Sequence, residues 1–435
     1  MLCEQQMTAK RNTRWNPVPC RFLVYCLLAA MFAPPLCAYS VLSHEELIDI
    51  AWVSDIRPAL LKRFPNAKGE ELQEAHAYAY GGSVIQDLGY YPFGSKQFTN
   101  LLHYVRTGDF VGFLIRDARD INELAFALGA VSHYAADTWG HPAVNAGVAI
   151  EYPNLRAKYG NMVTYEDNPE AHLKTEFSFD VVQVAKHRYI AKQYHDFIGF
   201  KVSESLLERA FRDTYGEDLD DLLHVDDLTL ATYRFAVSRV IPEMTQVALA
   251  TRRPKVVNEK PDAARRVFLY NLSRADYEKE FGSKYRRPGL FARFVAFLLK
   301  VIPKFGAFRA LEYRDPTPKT EDIYFKSMDK VVEEYRKLLL QVNAGQLTPA
   351  NRNLDTGELT RAGRYSLADK TYSELVLGLA KHHFSHLTPA LKNNISEFFA
   401  SGPANLSIKP RTWRKTQSAL LKLKATSVVV SAGSH

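Results

Sequence analysis

The segment VSHYAADTWGHP carries His133, Asp137 and His141 at successive four-residue steps. At 100° per residue these positions fall within an arc of ~80°, so one helix face would present two imidazoles and a carboxylate. Zinc accepts such a donor set where thiolates are missing. Alone the pattern is weak, because ordinary side-chain pairing along a helix also produces it. His172 and Glu176 repeat the four-residue step on the segment opened by Asn168-Pro169. Three further candidates precede them: Asp87 in GGSVIQDLGYYP, His103 in LLHYVRTGDF, and His44 near the start of the first helix. Each has an ordinary reading by itself: His44 as a surface residue at a helix start, Asp87 as a loop residue, His103 as a satisfied core histidine. His76, before the Gly81-Gly82 break, is expected to point away from Asp87, to the surface or the core.

The elements that must position these residues read as helices throughout. No stretch shows sustained period-2 alternation, whereas helix starts are well marked. Ser43 and Glu46 form a capping-box pattern, Asp120 and Glu123 another ahead of a long Ala/Leu-rich run, and Asn168-Pro169 gives an N-cap with proline at the first helical position. Pro142 is expected to end the long run. The fold class is therefore all-α. A break near Thr251–Pro261, with Arg252-Arg253-Pro254-Lys255, places a domain boundary there: 39–254 as the catalytic unit and 255–435 as a helical C-terminal unit with a basic tail.

Composition narrows the class. With 46% apolar and 24% charged residues, the 435-residue chain is neither a disordered tail nor a multi-span membrane protein. Of the net charge of +8, +3 falls in the first 38 residues (Lys10, Arg11, Arg14 and Arg21 against Glu4), as do all four cysteines. From Tyr39 onward there is no cysteine, which excludes disulfides and thiolate metal ligands there. The opening reads as an export signal: a basic start to Arg21, twelve apolar residues from Phe22 to Ala33, then Pro34-Pro35-Leu36-Cys37-Ala38 as a cleavage pattern. Residues 1–38 are expected to be removed, leaving Tyr39 as the new N-terminus of an exported protein.

As an ordered set, these residues resemble the zinc-dependent phospholipase C superfamily, which includes single-strand-specific nucleases of fungi and plants. Its members hold three zinc ions with an N-terminal residue, five histidines and three carboxylates. The nucleases begin Trp-Gly-x-Leu-Gly-His, and Tyr39-Ser-Val-Leu-Ser-His44 keeps that spacing here. The resemblance covers about Tyr39–Thr251. It implies that Asp87, His103, His133 and Asp137 hold one zinc, and that His141, His172 and Glu176 hold a second. The Tyr39 amine and carbonyl with His44 would hold a third that shares Asp137. Bacterial phospholipase C and the nucleases space the central motif His-x3-Asp-x5-His. The shorter His-x3-Asp-x3-His here is similar to the glycosylphosphatidylinositol-specific phospholipase D branch.

The implied activity is hydrolysis of phosphodiesters, with Asp87 and Asp137 as catalytic metal ligands and two to three zinc ions per chain. Paired zinc ions lower the pKa of water and clamp an in-line displacement, so neither a serine nor a cysteine nucleophile is required. Phospholipid head groups are the favoured substrates, and a single-strand nuclease or 3′-nucleotidase is the alternative. No basic stripe runs through 39–254, so no stable nucleic-acid complex is expected. Tyr90, Tyr91, Phe93, Tyr134 and Trp139 suit either a base or a cationic head group. Leu290–Ile302 is apolar around most of its circumference and is read as a buried helix, with peripheral membrane contact as the other reading. His382, His383 and His386 lack a nearby acid in sequence and are read as a solvated face. The stretch from Ser401 carries six Lys/Arg and no acid, and is expected to be loosely ordered.

Overall fold

The computed structural model describes residues 41–91, 94–185, 200–223, 233, 237, 315–400 and 406–428. Among these, α1 (Val41–Ala51) runs through a π turn (Trp52–Ile56) into α2 (Arg57–Arg63). Next come α3 (Gly69–Ser83), a 3-10 turn (Ile85–Tyr90), α4 (Lys96–Tyr104), α5 (Thr107–Asp117) and α6 (Ile121–Glu151). Then follow α7 (Pro153–Tyr159), α8 (Pro169–Ala185), α9 (Glu204–Tyr215) and α10 (Leu219–Leu222). The last group is α11 (Pro318–Asn343), α12 (Ser366–Lys381), α13 (Pro389–Ala400) and α14 (Pro410–Ala425). Strand pairing among the described residues is limited to one isolated bridge, Arg352 with Leu359. The protein is all-α.

Helix α6 is the axis of the site. Asp120 Oδ1 accepts from the amides of Asn122 and Glu123 at 2.9 and 2.8 Å, the N-cap its sequence predicts. Small residues let α3 press against it. A Cβ on Gly82 would lie 1.9 Å from Phe126 O, and one on Gly129 would lie 2.1 Å from Ala79 O, so only glycine permits this approach. On another side α11 packs along it, with the buried Tyr335 hydroxyl donating to Leu128 O at 3.0 Å. At its far end, Glu151 accepts from Thr317 N and Thr320 Oγ1 at 2.7 and 2.6 Å.

Three sequence expectations need correction. The helix does not end at Pro142 but continues to Glu151. A proline removes the donor for the carbonyl four residues back, here Thr138 O. The backbone of Gly357 (φ +72°) lies against that carbonyl so closely that a Cβ there would stand 2.2 Å from it. Ser43 and Glu46 do not cap a helix start, because α1 is already under way at Val41. Ser43 Oγ instead contacts Asp180 Oδ1 at 3.2 Å and Tyr324 Oη at 2.6 Å. The basic stretch after Ser401 is not loose where described. It forms α14, whose Thr416, Ala419 and Leu423 recur at helical spacing and are buried, with Thr416 Oγ1 2.6 Å from Ser373 Oγ of α12.

One apolar core joins residues of the first helices (Leu47, Phe126, Val131) with residues from 324 onward (Tyr335, Leu375, Leu423). The expected boundary at 254/255 lies outside the described residues, as do the leader, Tyr39, Phe93 and Leu290–Ile302. No helix among the described residues is long and apolar enough to cross a membrane.

Candidate metal centre

Five elements converge on Asp137. From α6, His133 Nε2 lies 3.0 Å and His141 Nε2 3.6 Å from its carboxylate. From α1 and α4, His44 Nε2 and His103 Nε2 each lie 3.4 Å from it. Asp87, on the 3-10 turn, contacts His103 Nε2 at 3.3 Å. On α8, Glu176 Oε1 meets His172 Nε2 at 2.9 Å and His141 Nε2 at 3.4 Å. All eight side chains are buried. They form three groups whose ligand atoms lie within 4.8 Å of one another: His44, His133 and Asp137; Asp87, His103 and His133; His141, His172 and Glu176. Every candidate from the sequence that lies in the described residues is therefore in one place.

Local hydrogen bonds aim the rings. Asn168 Oδ1 caps α8 through Ala171 N at 2.9 Å, setting His172 in its first turn. His133 Nδ1 lies 2.8 Å from Ser83 O and His103 Nδ1 2.9 Å from Thr99 O. A carbonyl accepts only, so each Nδ1 carries the proton and each Nε2 keeps its lone pair for the centre. Thr99 Oγ1 donates to Gln86 O and accepts from Gly89 N, which fixes the turn bearing Asp87. The His44 ring stacks on His133 with centroids 4.3 Å apart.

The charges fit a cation. Apart from the facing imidazoles, no donor among the described residues reaches either oxygen of Asp87, Asp137 or Glu176, although all are buried. Burial pushes the Glu176 carboxyl well up and the Asp87 carboxyl up. Burial also lowers His172 to about 4 and His44 well below its ordinary value, which favours their neutral, ligating forms. Asp137 is held well below the carboxylate range: burial opposes its charge, but the surrounding imidazoles outweigh it. Burial opposes the charge on His103 and His133, but Asp137 and Asp87 outweigh it and hold both rings above their ordinary value, so these buried carboxylates call for positive charge that a divalent metal would supply.

The family model described as zinc-dependent phospholipase C matches residues 43–222. That segment is similar to the zinc-dependent phospholipase C family. The matched segment spans all eight clustered side chains, and the metal of the family it resembles is zinc. No curated protein and no solved structure matches the chain.

Sequence reasoning missed several residues around this centre. Asp355 sits in the loop between α11 and α12, with its Oδ1 3.7 Å from His141 Nδ1. Tyr104 and Tyr365 hold its other oxygen at 2.8 and 2.5 Å. Tyr165 packs edge-on against His172, as Tyr90, which the sequence did offer, packs against His103. Only the turn signal in NLDTG marks the Asp355 loop, and no spacing rule links it to a histidine 214 positions earlier. His76 is buried in the core instead, stacked on Trp52 and 3.2 Å from Asp49. His382 and His386 are partly exposed but do face acids: Asp221 and Asp218, each at 3.7 Å. The sequence reading looked for acids only along the chain, and α10 supplies them from 160 residues away.

Proposed function

We propose that this protein is an exported zinc phosphodiesterase of the phospholipase C type, cleaving phospholipid head-group phosphodiesters. The observation that carries this reading is the convergence of four imidazoles on Asp137, flanked by Asp87 and Glu176. Asp87, His103, His133 and Asp137 would hold one zinc and His141, His172 and Glu176 another. His44 with the Tyr39 amine and carbonyl would hold a third, giving two to three ions per chain. Zinc, when bound, supplies Lewis-acid charge for a phosphoryl oxygen and lowers the pKa of water.

The protein's own residues do the rest. Ser83 O and Thr99 O fix two imidazole tautomers, and the carboxylates keep the ligand set balanced against divalent cations. Tyr90 and Tyr165 place aromatic faces beside His103 and His172, where a cationic head group is accepted. The lipid reading rests on the short central motif and the interleaved charges of residues 39–254. Export rests on residues 1–38, and cleavage after Ala38 would free the Tyr39 amine.

The test is elemental analysis of protein purified without chelator, followed by parallel assay on phosphatidylcholine micelles and single-stranded DNA. Two to three zinc per chain with release of phosphorylated head group is expected. DNA cleavage without head-group release would move the assignment to the nuclease branch. A zinc-free protein would end the metal reading.

A further inference from the structure

The loop of residues 349–358 lies beyond the family match yet is tied to the centre at many points. Leu354 N donates to His103 O at 2.9 Å, on a residue of the first metal group. Tyr134 Oη of α6 donates to Ala350 O at 2.7 Å, and Arg352 N donates to Thr107 Oγ1 at 2.9 Å. Asn351 Oδ1 accepts from the amides of Gly108 and Asp109 at 3.0 Å each, fastening the loop to the start of α5. Gly357 seats against Thr138 O, one residue from Asp137. The loop is a strap over the middle of α6.

Asp355 is the best-anchored residue of that strap. Its amide donates to Asn353 Oδ1 at 3.0 Å. Its carbonyl accepts from Asn145 Nδ2 at 2.7 Å, one turn beyond His141 on α6. Its Oδ2 accepts from both Tyr104 and Tyr365, and the residue is 3% exposed. These bonds leave the side chain one orientation, with Oδ1 3.7 Å from His141 Nδ1. That separation is an electrostatic contact rather than a hydrogen bond. It lies on the side of the imidazole opposite the Nε2 that faces Glu176 and Asp137.

We propose that Asp355 is a positioning residue for His141, and that the C-terminal segment thereby tunes the metal held by His141, His172 and Glu176. A carboxylate beside Nδ1 favours the tautomer with its proton there, which turns the Nε2 lone pair towards the centre and makes the ring a stronger donor. His133 and His103 get the same orientation from backbone carbonyls, which carry no net charge. Among the clustered histidines, His141 has its Nδ1 beside this carboxylate from outside the matched segment. This inference rests on the zinc reading above.

The test compares zinc binding to the full-length wild type, Asp355→Asn and His141→Gln by competition with a chromogenic chelator. Wild type that takes up no zinc would defeat the zinc reading itself. With zinc bound, Asp355→Asn should weaken one class of ion by roughly 10–100-fold, the usual effect of losing a metal ligand's partner, and leave the others unchanged. His141→Gln should affect that same class more severely. A purely structural role for Asp355 would lower the melting temperature without a selective change in zinc affinity, and that result would overturn the proposal. If Asp355→Asn does not fold, imidazole nitrogen NMR of the zinc-loaded wild type decides. The resonances absent in His141→Gln should report a protonated Nδ1 and a metal-bound Nε2, and the reverse assignment overturns the inference.

Discussion

Gly129→Ala should disturb fold and site together. The new Cβ would stand 2.1 Å from Ala79 O and 2.8 Å from Ser83 N on the facing helix. An ordinary carbon–oxygen contact needs about 3.4 Å, so α3 and α6 must part by about 1 Å. His133, one turn further along α6, holds Ser83 O at 2.8 Å and would lose that bond at such a separation. Overpacking of this kind costs about 1–3 kcal/mol and a lost hydrogen bond about 1 kcal/mol, together roughly 2–4 kcal/mol. At about 2 °C per kcal/mol for a chain of this size, the melting temperature should fall by roughly 4–8 °C. Gly112→Ala is the control. Nothing lies within 4 Å of its Cβ position in α5, so alanine's better helix propensity should raise the melting temperature slightly. Thermal melts by circular dichroism, with zinc content of each variant, provide the measurement. Equal melting temperatures for the two variants would refute the close-packing account, and full zinc retention in Gly129→Ala would separate packing from site.

Other outcomes follow from the same geometry. Asp137→Asn should lower zinc content more than any other single ligand change, because four imidazoles share that carboxylate; elemental analysis against His44→Ala would check it. His382→Ala and His386→Ala should leave zinc content unchanged, since their partners Asp221 and Asp218 are partly exposed and remote from the centre. Burial, with the Asp221 charge beside it, pushes the Glu217 carboxyl up to about 8. Its neutral form is therefore favoured by folding: the stabilisation is complete below its ordinary value of 4.5 and lost as pH rises through about 8. That is on the order of 5 kcal/mol across the window, and Glu217→Gln should flatten the fall in melting temperature between about pH 5 and 9. An unchanged pH slope in the variant would count against it.

The sequence made the site largely legible because its chemistry is periodic. His133, Asp137 and His141 repeat every fourth residue, as do His172 and Glu176, and the caps at Asp120 and Asn168 fix where those helices start. What escaped was non-local. Pro142 is a helix breaker by propensity, yet the helix continues through it with Gly357 packed against Thr138 O and the Pro142 ring. Ser43 has the composition of a cap, but Asp180 and Tyr324 claim its hydroxyl. Asp355 reads as a turn residue, and only tertiary contacts bring it to His141.

The strap also sets an order of assembly. A chain synthesised only as far as residue 340 already contains all eight clustered side chains. It still lacks the Leu354 amide on His103 O, the Asn351 anchor on α5 and the Asp355 carboxylate behind His141. Tyr104 and Asp355 are separated by 251 residues, so this closure belongs among the slow, high-contact-order steps of folding. Domains begin to fold from their N-terminal side during synthesis, so the ligands gather first and the strap fastens them last. The centre is fully fastened only once residues 349–358 have been made and have docked, well after its last clustered side chain, Glu176, has left the ribosome.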